Sequence, residues 1–511
     1  MKFSRIICTL LFGVAVLLFF GWAYPHHLHY QEQFQLFLFD HTYIWEIVKL
    51  PGGIADLLGR FCTQFFLFAW VGALIIGILL SAVQLLTLRL VSWGRLYGLS
   101  FVPSFLLWLF LLDENALLGG VWAVLLTLLA SWLFDMLSNT WVRRVLLFVA
   151  IPTLYWMVGP VCLLFFLLQI PYLKHSSLSP NKGEKPKETW YYTLFVLLAV
   201  MPVILSYYLP VPAEKLWFGI HYHRYPTVFP LLLWLATLSV FIVALTVGVC
   251  QRWANASSSH AVTLVSFALV AVCMGVFVWK NSNFKAEKVM GYDFMARHQQ
   301  WNRILETIST DKPNNQIGVT VQNLALAMHG MLADHLFDYN QNSISGLLPD
   351  VQRDATSPLP TAETFYQLGL IYVAQRTVFE AQEAILDFQK SARCYKRLAQ
   401  TNLINGNYEV ARKYLMALQK TLFYRDWANE TLPLLGNENA IAKHPEYGRL
   451  RQFSYNENFY FSDHVTPQML ESLFFSNTDN RLAFEYLRAY YMLTGDRESY
   501  AKLLLHPSLK Q

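Results

Sequence analysis

The chain has 511 residues, 55% of them hydrophobic and only 14% charged, whereas soluble globular chains carry about 25% charged residues. Its formal net charge of +5 is modest, and no basic tract interleaved with aromatics occurs, so no nucleic-acid partner is expected. Six cysteines without a CxxC pair exclude a zinc ribbon or a redox motif, and Cys394, alone in the polar C-terminal part, has no internal disulfide partner there.

Through residue 279, apolar blocks alternate with short polar stretches; beyond it the charge content is ordinary and no long apolar run appears. The expected fold class is therefore all-α. A polytopic transmembrane helix bundle spans 1–280, and a soluble helical domain spans 281–511. A membrane helix needs about 20 apolar residues. Blocks at 6–24, 61–86, 99–112, 117–136, 142–158, 160–172, 190–209, 228–250 and 262–279 predict about nine spans. The third, fifth and sixth are short, and Gly159-Pro160 reads as a turn between two spans or a kink in one. The first block has the basic start and apolar core of a signal peptide. It is long for one and lacks an Ala-x-Ala site, so a retained anchor is expected.

Lys and Arg in short loops set orientation. Lys2 and Arg5, Arg89 and Arg95, Arg143 and Arg144, Lys174 to Lys187, and Arg252 fall in every second connection. These predict a cytoplasmic N-terminus, outward loops at 25–60, 113–116 and 210–226, and an extracytoplasmic C-terminal domain.

The outer loop 25–60 is too polar to span and too apolar to be an ordinary solvated loop. It reads as amphipathic helices in the membrane interface. A carboxylate beside a span is costly to place there, which makes Glu32 the first catalytic candidate and Asp40, in "FLFDH", the second. Both also fit interfacial loop charges facing water. His26, His27 and His29 lack further ligands and read as a headgroup-level cluster rather than a metal site. In the loop 210–226, Lys215, His221, His223 and Arg224 supply cationic donors suited to a lipid-linked phosphate, or to ordinary headgroup contact. Asp113 and Glu114 are secondary candidates for a cation or substrate, against a solvated loop pair. Asp135 beside Arg143 and Arg144 reads as a structural ion pair.

From residue 291 onward helix follows helix. At 391–422 and 481–505, paired amphipathic helices turn through Asn405-Gly406-Asn407 and Thr494-Gly495-Asp496, and the next helix brings in Tyr408 or Tyr500. This pattern resembles tetratricopeptide repeats, which stack into solenoids and bind peptides or protein surfaces. The Pro- and Ser-rich stretch 345–363 reads as a loop or linker between two helical halves.

The stretches "HYQEQFQLFLF", "LPGGIADLLGRF" and "GLLPDVQRDATSPLPTAETFYQLGLIYVAQRTVFEA" look like an uncharacterised membrane-protein family of the Bacteroidota. That resemblance implies a Gram-negative inner membrane with a periplasmic C-terminal domain. The architecture also resembles GT-C glycosyltransferases that end in tetratricopeptide repeats. It implies sugar transfer from a polyprenyl-phosphate donor to an extracytoplasmic acceptor. Glu32, with Asp40 as substitute, would be base or ligand to a divalent cation, and Lys215, His223 and Arg224 would bind the donor phosphate. That family's first-loop acid usually comes as Asp-Asp or Asp-x-Glu, where this chain has Gln31-Glu32-Gln33.

No Walker A loop, Gly-x-Ser-x-Gly elbow, His-Glu-x-x-His or dinucleotide fingerprint occurs. The competing expectation is a non-enzymatic anchor whose helical repeats grip a periplasmic protein. The absence of an inverted repeat weakens a transporter reading.

Overall fold

The computed structural model describes residues 2–90, 94–176, 189–219, 222–249, 259–349, 356–386, 389–454 and 466–506. Among these residues the protein is helical throughout, with no β-strand and one isolated antiparallel bridge between Ala116 and His223. The chain divides into two compact units. The first comprises Met1–Glu32 and Phe39–Phe284, the second Gln33–Leu38 and Lys285–Gln511.

In the first unit, four helices are long and apolar enough to cross a membrane: Phe3–Ala23, Ala69–Leu90, Trp141–Ile170 and His260–Asn281. Shorter apolar helices cover Arg95–Phe110, Gly119–Asp135, Leu194–Tyr208 and Leu231–Val247. Among the described residues, four of the expected nine spans or their mergers are thus full-length candidates, and four more apolar blocks are shorter helices. The blocks at 142–158 and 160–172 fall within the single candidate Trp141–Ile170, which is interrupted at Gly159, φ 62°, and by a 3-10 turn over Gly159–Cys162. The block at 99–112 opens as a 3-10 turn over Gly94–Phe101, which shortens its α-helical part.

Small residues bring these helices together. A Cβ on Gly59 would lie 2.4 Å from the Gly119 nitrogen, so the helices Gly53–Thr63 and Gly119–Asp135 meet backbone to backbone. A Cβ on Gly77 would lie 3.1 Å from the Gly13 carbonyl, where the first helix crosses Ala69–Leu90. Next to that crossing, Thr9 donates to Gln84 at 3.0 Å and Gln84 donates to Ser100 at 3.0 Å. The buried amide thereby has both its groups engaged. Around Phe12, the rings of Phe101, Phe105 and Trp108 pack edge-on. The outward faces carry bare apolar side chains, including Trp22 at 79% exposure, Leu10, Val265 and Val272. Such a surface suits hydrocarbon better than water.

Polar connections gather at two separate places in this unit. In one, the Tyr97 hydroxyl donates to the Arg5 carbonyl at 3.0 Å and His260 meets Ser4 at 3.2 Å. The other unites the segments near residues 25–32, 111–117 and 222–225 and is described below. The expected Asp135–Arg143 ion pair is present at 2.9 Å.

The second unit is built of consecutive helices around buried Leu324, Phe365, Leu403, Leu473, Tyr486 and Leu487. The helices Ala392–Ile404 and Tyr408–Gln419 are joined through Gly406, and Arg481–Thr494 and Arg497–Leu504 through Gly495; both glycines have positive φ, as the turn signals require. The stretch 345–363 is not one loop. Residues 350–355 lie outside the described residues, and Pro358–Leu368 is a wholly buried helix. Prolines at its first and third positions are tolerated because first-turn N–H groups have no acceptor within the helix.

The loop 25–60 is also revised. It contains helices Pro25–Glu32, His41–Val48 and the start of Gly53–Thr63, but Gln33–Leu38 is extended and belongs to the second unit. There the Leu36 amide donates to the Lys390 carbonyl at 3.0 Å, and Leu36 joins Ala392, Ala399, Leu415, Leu418, Tyr424 and Ala428 in one apolar cluster. Arg393 donates to Gln33 at 3.0 Å and holds Asp293 through two bonds of 2.6 and 2.8 Å.

Candidate functional site

The helix Pro25–Glu32 opens on proline and presents His27 and Gln31, one turn apart, to the same neighbour. His27 Nε2 lies 2.9 Å from the Leu111 carbonyl, and Gln31 donates to the Ala116 carbonyl at 3.1 Å. His27 is fully buried. Burial drives its pKa down to about 4, outweighing the Leu111 hydrogen bond and the Asp113 charge. It is therefore a neutral donor at neutral pH, pinning the helix to the segment 111–117.

That segment is tied in turn to residues 222–225. The Leu117 amide donates to the Tyr222 carbonyl at 2.9 Å, and the Arg224 amide donates to the Asn115 carbonyl at 2.8 Å. Tyr222 is buried and donates to the Val158 carbonyl at 2.7 Å. This frame sets His223 Nε2 3.0 Å from Asp113 Oδ2, while Asp113 Oδ1 accepts from the Asn115 amide at 2.9 Å. Burial alone would raise the Asp113 pKa; the His223 and Asn115 hydrogen bonds outweigh it and hold the carboxyl below its usual range. The Tyr225 amide reaches His223 Nδ1 at 3.1 Å. The Tyr225 carbonyl also lies 3.2 Å from that nitrogen. Arg224, 7% exposed, donates to the Tyr30 hydroxyl at 3.1 Å. Tyr30 lies two residues before Glu32, which closes the same helix and is 4% exposed.

The structure thus joins Asp113, His223 and Arg224 with the helix that carries Glu32. Asp40 precedes the helix His41–Val48, and its carboxylate accepts from Thr42. Glu114 is half-buried and makes no hydrogen bond to a described residue. Lys215 is half-buried on the helix Ala213–Phe218. His221 falls outside the described residues. Among the described residues, no three His, Cys, Asp or Glu side chains gather where a metal ion could be held. Asp113 and His223 alone make two ligands, short of the three or four protein ligands usual for zinc.

Sequence reasoning missed Tyr30, Gln31, Asn115 and the structural role of His27. The i, i+4 spacing of His27 and Gln31 was the available signal. It also missed a second polar set. Asp56 and Arg60, one turn apart, pair at 2.9 Å, and Tyr43 hydrogen-bonds Arg60. Burial would lower the Arg60 pKa, but Asp56 and Tyr43 outweigh it and the guanidinium stays charged.

The chain belongs to a family of unknown function, DUF6057, whose model matches residues 1–510. No curated protein and no solved structure matches it.

Proposed function

We propose that the first unit is a GT-C-like transferase of an inner membrane, moving a sugar from a polyprenyl-phosphate donor to an acceptor on the extracytoplasmic side. The observation that carries this reading is the Arg224–Tyr30 bond. It holds a nearly buried guanidinium against the short helix that ends in the carboxylate Glu32. Phosphate recognition and acid–base chemistry call for those two groups within one frame.

In the proposed step, the acceptor hydroxyl oxygen bonds to the anomeric carbon while the bond from that carbon to the phosphate oxygen breaks. The hydroxyl proton passes to Glu32. Polyprenyl phosphate departs with the bonding electrons, stabilised by Arg224, while Asp113 and the Tyr225 backbone engage both ring nitrogens of His223. Lys215 and His221 remain candidates for the outer part of the donor.

Sidedness has independent support. The basic-loop pattern assigns the segments near 25–32, 113–116 and 222–225 to one face of the membrane. These same segments hydrogen-bond to one another. Residues 4, 5, 97 and 260, assigned to the opposite face, form their own cluster.

The test is to express Glu32→Gln and Arg224→Ala in a deletion strain. Mass spectrometry then follows envelope glycans and the polyprenyl-linked sugar pool. Both variants are expected to deplete a glycan and accumulate its lipid-linked donor. Wild-type profiles from both, at wild-type membrane levels, would overturn the assignment. The consecutive helical hairpins of the second unit favour a second reading, a membrane-anchored scaffold with tetratricopeptide-like repeats for a periplasmic protein. That reading predicts silent site variants and a loss of function from changes on the second unit alone.

A further inference from the structure

Three segments meet at the end of the first unit that lies away from His223 and Arg224. They are the start of the helix Lys2–Leu18, the turn Gly94–Phe101 and the start of the helix His260–Asn281. The stretches 1–31, 57–112 and 215–286, to which these segments belong, contain no Asp and no Glu. They bring Arg5, Arg89, Arg95 and His260 instead. The carboxylate of Asp135, which ends the helix Gly119–Asp135, is held by Arg143 at 2.9 Å.

Arg5 is built into this frame. Its carbonyl accepts from the Tyr97 hydroxyl at 3.0 Å, and its guanidinium lies over the Tyr97 ring at 5.3 Å. The guanidinium Nε is buried and has no hydrogen-bond partner among the described residues. The described ion pairs of the first unit, Asp56–Arg60, Asp135–Arg143 and Asp113–His223, leave Arg5 out. A charged donor drawn out of water calls for an acceptor. Next to it, Ser4 is 4% exposed and meets His260 Nδ1 at 3.2 Å, which ties the start of the 22-residue helix to the first one. A Cβ on Gly98 would lie 2.1 Å from the Ser266 carbonyl, so the turn and that helix touch through backbone. Ser259 accepts from the Val262 amide at 3.2 Å. The His260 and Ala261 amides have no acceptor in their own helix, and its first turn contains no acid.

We propose that this end of the first unit seats the phosphate of one anionic phospholipid headgroup, held by the Arg5 guanidinium and by the exposed beginning of the helix His260–Asn281. A phosphodiester offers one negative charge and oxygen acceptors, which a guanidinium fork and helix amides match. The neighbouring Ile6, Leu10, Val262 and Val265 are exposed. They supply the hydrocarbon contact that selects a lipid over a free phosphate. Basic pockets between membrane helices are where anionic headgroups bind. The inference rests on the first unit lying in a bilayer and is independent of the transfer reaction.

Native mass spectrometry of the full-length protein in detergent, loaded with dioleoyl phosphatidylglycerol or with dioleoyl phosphatidylcholine, tests this. One phosphatidylglycerol is expected to survive activation that strips phosphatidylcholine. Arg5→Gln should lower the retained phosphatidylglycerol about tenfold, the loss of a charge-assisted hydrogen bond. Arg89 is exposed over the Trp132 ring at 5.2 Å. Arg89→Gln should therefore lower retention no more than about twofold, as for a solvated surface charge. Arg5→Lys, which keeps the charge without the planar fork, should fall between wild type and Arg5→Gln. Equal retention of the two lipids by the wild-type protein, a comparison that needs no variant to fold, would overturn the proposal. So would wild-type retention in Arg5→Gln, or equal losses in Arg5→Gln and Arg89→Gln, which would mark a spread surface charge. Release of the lipid by inorganic phosphate but not by chloride of equal ionic strength would assign the place to a free anion and also overturn it.

Discussion

Replacing Leu36 by alanine should loosen helices that lie more than 350 residues further along the chain. Leu36 is 6% exposed and packs with Ala399, Leu415, Leu418 and Tyr424. Truncating a buried leucine costs about 2–5 kcal/mol, the spread reflecting how far the site collapses. The Leu36 amide bond to Lys390 survives the change, so we take about 3 kcal/mol. At 1.4 kcal/mol per decade, that is about a hundredfold faster exchange for amides that open with this cluster. Hydrogen–deuterium exchange with mass spectrometry on the full chain in detergent reads the helices Ala392–Ile404 and Tyr408–Gln419 directly. Phe39→Ala, at a side chain 45% exposed, is the control and should change stability by no more than about 0.5 kcal/mol. If both variants exchanged alike in those helices, Leu36 would not be part of that core.

Three further outcomes are expected. The folded-state pKa of His27, about 4, lies below its unfolded value of 6.5. The unfolded chain therefore binds the extra proton first, and stability is full above pH 6.5 and falls by about 3 kcal/mol on acidification to pH 4. His27→Gln should flatten that part of a pH series of thermal melts. Gly59→Ala would force a methyl against the Gly119 backbone. It should cost about 1–3 kcal/mol by overpacking, whereas Gly275→Ala, with no atom within 4 Å, should leave the melting temperature unchanged. Within the proposed transfer reaction, Arg224→Ala should lower turnover about 100-fold. Arg224→Lys should recover only part of it, because an ammonium lacks the planar fork of donors; full recovery would reduce Arg224 to a bare charge.

Much of the molecule was legible in the chain itself, wherever the governing forces are local. The apolar blocks, the Gly406 and Gly495 turns and the Asp135–Arg143 pair all follow from side chains close in sequence. His223, Arg224 and Asp113 were identifiable as candidates because charged and imidazole groups beside apolar blocks are costly to place without a purpose. Misreadings arose where distant partners outweighed local preference. Gln33–Leu38 has the apolar content of an interfacial helix, yet it is extended, because Lys390 and Arg393 supply its backbone and side-chain partners from the second unit. Pro358–Leu368 looks like a linker by its prolines, yet it is helical, because those prolines occupy the only turn that tolerates them and all its side chains find a core.

Composition, periodicity and basic-loop spacing thus determined an all-helical chain with apolar membrane-length helices and a polar helical part after it. Only tertiary structure decided that Asp113 meets His223 across 110 residues and that Arg224 reaches Tyr30 across 194. The physical reason is range. A hydrogen bond of about 3 Å is set by where backbone frames converge, here Ala116 against His223 and Asn115 against Arg224, and no local propensity encodes that meeting.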